Sequence, residues 1–182
     1  MASTWTGEYL KINFKAKKSF NIRNAGTTHV QLHAGYINAE VPYSFAYNGR
    51  ANNSSKFSLS SQGYFETMGM NEFLNSEYAA IFVQHDFGKL LYQGKNFKPG
   101  FILSSAYGIG SLNNKTKHAG LAIKSMEKGY AESGLIINDL FVLKSTLYNM
   151  GFGIGAFYRY GPYKNVLEKD NLALKLNFSI SF

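Results

Sequence analysis

Cysteine is absent from the sequence and proline is scarce. The lack of cysteine excludes disulfides, thiolate metal sites and cysteine nucleophiles. No uncharged apolar run reaches the roughly 18 residues that a transmembrane helix needs, because stretches such as 99–114 are broken by Gly, Ser and Asn. If this chain crosses a membrane, it must therefore cross with strands.

Charged residues are also few. They make up 16% of the chain, against roughly 25% in soluble domains, yet the mean hydropathy is only −0.19. The chain has instead 15 Phe, 13 Tyr and 18 Gly with only 3 Pro, a mixture that favours strands over helices. A chain that is poor in charge but not apolar on average must distribute its apolar residues in a pattern, and here the pattern is alternation.

The C-terminal segment shows this alternation most clearly, with a large apolar residue at every second position. These residues are Leu172, Leu174, Leu176, Phe178, Ile180 and Phe182. Residues two apart on a strand share a face, so one face is apolar and the other small or polar. The length of the pattern and its terminal Phe resemble the last-strand signal of bacterial outer-membrane barrels, whose apolar face meets lipid.

Similar alternation predicts seven strands, at 8–20, 29–38, 77–87, 98–107, 130–138, 148–160 and 171–182. Shorter connections alternate with the longer ones at 39–76 and 108–129, as in bacterial barrels. Closed single-chain bacterial barrels have even strand numbers. Either an eighth strand lies within 39–76, with Lys56 to Phe65 as the candidate, or the chain is part of a larger barrel. In 77–87 and 98–107 the pattern leaves open which face points outward.

The predicted fold is therefore all-β, with one domain over residues 1–182. It is an antiparallel transmembrane β-barrel of about seven to eight strands, or the C-terminal part of one, with a long inserted loop at about 39–76. In this arrangement the apolar faces meet lipid, and lysines and glycines surround a water-filled centre. Gly151, Gly153 and Gly155 alternate within one strand, which indicates a crowded interior or tight curvature and not a phosphate loop.

The net charge is +8, but the basic residues are spread along the chain without a nucleic-acid-binding signature, so nucleic acid is not a predicted partner. The predicted interior charges are Lys11, Lys15, Lys17, Glu132, Arg159 and Lys175. The lysines form either a cationic surface that favours anions or a solvated wall without a ligand. Arg159, Glu66 and Glu132 either form a buried network that joins the inserted loop to the wall, because an unpaired buried charge is costly, or are simply solvated.

No arrangement of residues predicts an enzyme, a cofactor or a metal site. His29 and His33 lie on one face of a strand but about 13 Å apart, too far to share an ion. His85-Asp86 has no evident serine partner. A set of tyrosines is predicted to lie at the membrane interfaces, with the ring in lipid and the hydroxyl among headgroups. It comprises Tyr36, Tyr107, Tyr148, Tyr158, Tyr160 and Tyr163.

Several short motifs resemble the bacterial surface-antigen superfamily, the outer-membrane assembly-factor and patatin-linked barrels. They follow one another as Pro42-Tyr43, Phe57-Ser58-Leu59, Gly63-Tyr64, Glu72-Phe73-Leu74 and Tyr78-Ala79-Ala80. Phe65-Glu66-Thr67-Met68 and the run from Tyr158 to Tyr163 resemble one branch more closely. That branch comprises uncharacterised outer-membrane proteins whose barrel follows a carboxypeptidase-regulatory-like domain.

The resemblance implies a sixteen-stranded barrel of which this chain is the C-terminal half, about the last seven strands. It also implies that the inserted loop folds back into the lumen with an Arg-Gly-aromatic tip. The corresponding tip here is Gln62, Gly63 and Tyr64, followed by Glu66, so the arginine is missing. A charged lock between this tip and the wall is therefore in doubt.

These observations predict an integral protein of the bacterial outer membrane with a structural, protein-insertion or translocation role. Its partners would be the lipid bilayer and lipopolysaccharide, the barrel-assembly machinery during insertion, and the missing N-terminal half of the barrel. Residues Met1 to Trp5 lack the features of a signal peptide, so the signal has been removed or the chain is a piece of something longer. The alternative is a soluble, lipocalin-like barrel that binds an apolar ligand, with Phe152 and Ile154 facing a closed core.

Overall fold

The computed structural model describes residues 7–53, 59–94, 97–113, 124–145 and 147–181. Nine strands and one short 3-10 helix, Glu168–Asn171, lie in these ranges. The strands are β1 Lys11–Ile22, β2 Gly26–Ile37, β3 Ala51–Asn53, β4 Phe65–Gly69, β5 Glu77–Gly88, β6 Gly100–Ser111, β7 Tyr130–Lys144, β8 Asn149–Tyr160 and β9 Leu172–Ser181. Within the described ranges, no helix is long and apolar enough to cross a membrane.

Seven strands form one antiparallel sheet in the order β1-β2-β5-β6-β7-β8-β9. Each sheet strand neighbours the next one along the chain, except that β2 is followed by β5. The all-β fold and the seven predicted strands are confirmed. β7 extends beyond the predicted end at 138, because a bulge between Ile137 and Phe141 shifts its register with β8 and the pairing then continues to Lys144.

The connections of this sheet alternate between its two ends. Residues 23–25, 89–99 and 145–148 link strands at one end, which we call the short end. Residues 38–76, 112–129 and 161–171 link them at the other end, which we call the long end. β1 and β9 are the two edge strands, and within the described residues they are not hydrogen-bonded to each other.

The two faces of the sheet differ in chemistry as the alternation predicts. On the outer face, Ile154 is 50% exposed, Leu174 is 73% exposed and Phe178 is 44% exposed. Phe152 packs edge-to-face on Phe178 at a ring-centroid distance of 5.0 Å. On the inner face, Arg159 and Lys175 are buried. The apolar sides of the strands thus point away from the interior.

The structure also gives the facing of the two strands that the pattern left open. In β5, Ile81 lies on the outer face and Phe82 on the buried inner face. In β6, Tyr107 is exposed whereas its neighbour Ala106 is buried. The register places Phe82 opposite Ala106, so the inner face is continuous across both strands.

The inserted segment, residues 38–76, lies between β2 and β5 and carries the short parallel pair β3 and β4. Phe65 of β4 is fully buried, and its ring lies 4.9 Å from the rings of both Phe82 and Tyr130. Met68 and Phe73 of the same segment join this apolar cluster. The prediction of a water-filled centre is therefore wrong near the long end, because the inserted segment fills the inner face there with aromatic side chains.

The candidate eighth strand, Lys56 to Phe65, does not extend the sheet as a regular strand within the described residues. Its residues 56–58 lie outside them, and β4 begins only at Phe65. Leu59 instead forms an isolated parallel bridge with Leu176 on the edge of β9, where the Ser60 amide donates to the Leu176 carbonyl at 2.8 Å. The inserted segment thus reaches an edge of the sheet.

The alternating glycines of β8 make room for the bulge of β7. A methyl group on Gly151 would overlap with the Asp139 carboxylate and the Ser179 hydroxyl. On Gly153 it would overlap with the Ile137 carbonyl. Asp139 itself has a φ of 56°, a left-handed conformation that is costly for a residue with a side chain. The prediction of a crowded interior at these glycines is confirmed.

Candidate functional site: the buried contact between the inserted segment and the sheet

Glu132 of β7 holds the backbone of β4. Its Oε1 accepts a hydrogen bond from the Glu66 amide at 2.7 Å, and its Oε2 accepts one from the Thr67 amide at 2.9 Å. The Thr67 hydroxyl donates to the same Oε2 at 2.5 Å and lies 2.7 Å from the Tyr130 hydroxyl. A backbone amide that is buried loses its hydrogen bonds to water, and the Glu132 carboxylate replaces them for Glu66 and Thr67.

Glu66 is buried and collects donors from the inserted segment itself. Its carboxylate accepts the Ser61 amide at 2.6 Å, the Ser60 hydroxyl at 3.0 Å and the Asn52 side-chain amide at 2.6 Å. Burial raises the pKa of the Glu66 carboxyl above its usual range, and these hydrogen bonds oppose that rise. The carboxylate therefore organises the turn that leads into β4.

Lys175 of β9 binds the same part of the inserted segment. Its Nζ donates to the Asn52 carbonyl at 2.8 Å and lies 3.7 Å from Glu66 Oε2. The side chain is fully buried, so water does not screen this ion pair as it would at a surface. Lys175 is thus a wall residue that holds the loop and does not face an open lumen.

Arg159 of β8 pairs with Glu72, a residue that the sequence did not nominate. The guanidinium donates through Nη2 to Glu72 Oε1 at 2.7 Å and through Nη1 to Oε2 at 3.1 Å. It also lies 4.7 Å from the centroid of the Tyr130 ring and 5.6 Å from that of Phe73. Arg159 is 2% exposed, so a planar, bidentate and ring-flanked charge is held inside the protein.

Of the two alternatives for these three charged residues, the structure shows the network and not simple solvation. Glu66, Glu132 and Arg159 all connect the inserted segment to the sheet. Arg159 pairs with Glu72 and not with Glu66. Sequence reasoning missed Glu72 and Thr67. The only signal that could have suggested Glu72 was its place in the Glu72-Phe73-Leu74 motif.

The tip motif is held by an arginine from elsewhere in the inserted segment. Arg50 Nε donates to the Gly63 carbonyl at 2.7 Å, and its guanidinium lies 4.3 Å from the centroid of the Tyr64 ring. Gly63 has a φ of 81°, a left-handed conformation that favours glycine, and a methyl group there would have to displace the end of the Gln31 side chain at 2.6 Å. Gln62 is exposed. Arg50 thus supplies a guanidinium beside the tip, although the residue at position 62 is glutamine.

The remaining predicted interior charges lie on the edge strand β1. Lys11, Lys15 and Lys17 are exposed, and the register places Lys15 opposite the buried His33 on the inner face. Lys11 Nζ donates to the Phe45 carbonyl at 2.8 Å and lies 4.4 Å from the centroid of the Tyr47 ring. Lys11 therefore contacts the inserted segment.

The predicted last-strand residues lie on β9. Leu172, Leu174, Phe178 and Ile180 are exposed on its outer face and Leu176 is half-buried, while Phe182 lies outside the described residues. The predicted tyrosine set divides. Tyr36, Tyr107, Tyr148 and Tyr160 are exposed.

Tyr163 does not belong with the exposed tyrosines. It packs edge-to-face on Phe73 at 4.8 Å and donates to the Ser125 carbonyl at 2.5 Å. The prediction of an interfacial position for Tyr163 is wrong, because the aromatic cluster of the inserted segment provides it with a protein surface to pack against.

This site holds the inserted segment in place. Within the described ranges, no group of three or more His, Asp and Glu side chains is placed to hold a metal ion. No family model, curated protein or solved structure matches the chain. The likeness to the surface-antigen superfamily therefore stays a prediction.

Proposed function

We propose that this chain is part of the wall of an integral outer-membrane β-barrel, with the inserted segment fixed against its inner face. The observation that supports this proposal is the outer face of the sheet, which is apolar on its adjacent strands. Exposed residues of this face include Ile12, Phe14, Leu32, Ile81, Leu103, Ile109, Leu135, Ile154, Leu174, Phe178 and Ile180. A contiguous apolar surface of this kind on a folded protein marks contact with lipid or with another protein.

Strand length and the exposed tyrosines favour lipid. Most of the sheet strands have 12 residues, enough for a tilted crossing that needs roughly 9–11. Tyr36, Tyr107 and Tyr160 lie near the last residues of β2, β6 and β8, which all end at the long end of the sheet. A row of aromatic residues at one end of an apolar band is typical of a membrane interface. The lipocalin-like alternative needs Ile154 in a closed core, and its exposure counts against that arrangement.

The direction of the two edge strands supports a larger barrel. β1 and β9 both begin at the long end of the sheet and run the same way, because each of the six intervening pairings is antiparallel. Closing the sheet with antiparallel pairs alone requires an odd number of additional strands, which makes the total even, as in bacterial barrels. A second copy in the same orientation would meet both edges in parallel. The additional strands that close the barrel are therefore best assigned to a different segment, such as an N-terminal barrel half.

In this proposal the chain has a structural role, and by its resemblance to the assembly-factor barrels a role in protein insertion or translocation. Its surroundings would be the lipid bilayer and lipopolysaccharide of the bacterial outer membrane, which the barrel-assembly machinery helps it enter. In that role the sheet forms part of the barrel wall and the inserted segment fills part of the interior. No catalytic step is assigned to the chain.

A charge on the outer face tests the proposal. We expect the refolded wild-type protein to float with phospholipid vesicles and to resist added protease. Ile154→Lys should lower its stability in the vesicles by about 2–4 kcal/mol, the cost of a lysine near the bilayer midplane. Val166→Lys, at a 99% exposed position in the connection after β8, is the matched control and should behave as wild type. A wild-type protein that stays folded and monodisperse in buffer and ignores vesicles would refute the membrane assignment.

A further inference from the structure

A cavity lies on the inner face at the short end, away from the inserted segment's aromatic cluster. Its volume is about 670 Å³, within the range of ligand sites of roughly 300–1,000 Å³. Gly151 and Ser179 line it, and they face each other across β8 and β9 on the same side as the buried Lys175. Leu140 and Val142 give it an apolar side.

Three lysines surround this cavity, and they come from separate parts of the chain. Lys89 follows β5, Lys98 precedes β6 and Lys144 ends β7. They lie close together because all three positions are at the short end of the adjacent strands β5, β6 and β7. Among the described residues that line the cavity, Asp139 is the only one with a carboxylate.

Asp139 balances one of these charges and fixes its position. Its Oδ2 lies 3.6 Å from Lys89 Nζ, and its Oδ1 accepts the Ser179 hydroxyl at 3.1 Å. The left-handed backbone at Asp139 and the missing side chain at Gly151 allow the carboxylate to turn inward. A strained residue kept in a cavity wall is a common feature of binding sites.

Lys98 and Lys144 form no ion pair with a carboxylate in the described part of the chain. Two exposed ammonium groups without a carboxylate partner among the described residues therefore border a partly enclosed space, beside the side-chain amide of Asn149 and the hydroxyl of Ser179. Ammonium, amide and hydroxyl groups are the donors that bind phosphate and other oxyanions in proteins. We propose that this cavity binds an oxyanion, a phosphate group carried either by a free solute or by a lipid headgroup. This assignment does not depend on the barrel proposal.

Pyrophosphate is the probe for the free-solute source. We expect calorimetric titration of the refolded protein in non-ionic detergent to show saturable binding of pyrophosphate. Lys98→Gln/Lys144→Gln should weaken the affinity at least tenfold, and each single variant should weaken it less. Lys164→Gln/Lys169→Gln removes the same charge at the opposite end of the sheet and should bind as wild type. Far-ultraviolet circular dichroism checks that all variants fold.

Micelles doped with an anionic phospholipid form the second arm. Competition between the doped micelles and pyrophosphate at this cavity would identify a headgroup as an occupant, whereas binding of pyrophosphate alone would identify a free solute. Equal affinities for the two double variants would overturn the proposal, as would a wild-type protein that binds neither probe at physiological ionic strength.

Discussion

The pair of Arg159 and Glu72 offers the sharpest test of how the inserted segment is held. Arg159→Met removes both hydrogen bonds to Glu72 and the charge beside the Tyr130 ring, while an unbranched apolar side chain keeps part of the volume. Arg159→Lys retains a charge but cannot form the bidentate pair. The two variants therefore separate the loss of charge from the loss of geometry.

The expected loss of stability in each variant depends on which charged group remains without its partner. Breaking a buried ion pair by removing one partner costs roughly 3–5 kcal/mol. Arg159→Met should cost somewhat less, about 2–3 kcal/mol, because Glu72 is 20% exposed and keeps Lys124 at 3.8 Å. Glu72→Gln should cost more than Arg159→Met, because it leaves a guanidinium with 2% exposure beside a neutral amide.

A double-mutant cycle measures the pair itself. The free energy of unfolding is obtained from urea titrations of the refolded protein in detergent micelles, followed by circular dichroism. We expect the loss of stability in the double variant Arg159→Met/Glu72→Gln to be smaller than the sum of the two single losses by at least about 1 kcal/mol. Proteolysis should cleave residues 38–76 faster in each single variant than in the wild type.

Additive single effects, with a coupling energy near zero, would show that the two side chains act independently and would refute this reasoning. So would an inserted segment that stays as resistant to protease in Arg159→Met as in the wild type. The second outcome would show that the apolar cluster around Phe65 is sufficient to hold the segment.

Two further predictions concern Glu66 and the glycines of β8. Glu66→Gln should lower stability by about 1–3 kcal/mol and free the inserted segment, because the new amide faces donors that need an acceptor. Because the pKa of Glu66 is higher in the folded than in the unfolded protein, its contribution to the free energy of unfolding is fully present below the unfolded-state pKa. This contribution is lost as the pH rises through the folded-state pKa. In parallel urea titrations, the stability difference between wild type and Glu66→Gln should therefore shrink with rising pH. Protease accessibility of residues 40–75 identical to that of the wild type would contradict the role of Glu66. Gly151→Ala should cost about 1–3 kcal/mol, since its methyl group overlaps with the Asp139 carboxylate. Gly100→Ala, where the nearest atom lies at 3.5 Å, is the matched control in thermal melts, and equal losses in both would contradict the argument.

The candidate site could be predicted from the sequence only in part. The sequence indicates Glu66, Glu132 and Arg159 as candidates because charged residues on an inward face need partners, and all three lie in the contact. Which carboxylate meets which cation could not be read from the pattern. Arg159 and Glu72 are 87 residues apart in the chain, and no local periodicity relates them.

The sequence by itself determined where the seven strands of the sheet lie and, for the most regularly alternating of them, which face is apolar. Alternation with a period of two is a local property of an extended backbone, so it predicts the positions of these strands and the side of β8 and β9 that carries apolar residues. Only the tertiary structure decided what occupies the inner face. The path of residues 38–76 depends on packing between segments far apart in the chain, since Phe65 finds Phe82 and Tyr130 only once the sheet has formed. Periodicity says which way a side chain points, whereas its partner depends on how the whole chain folds.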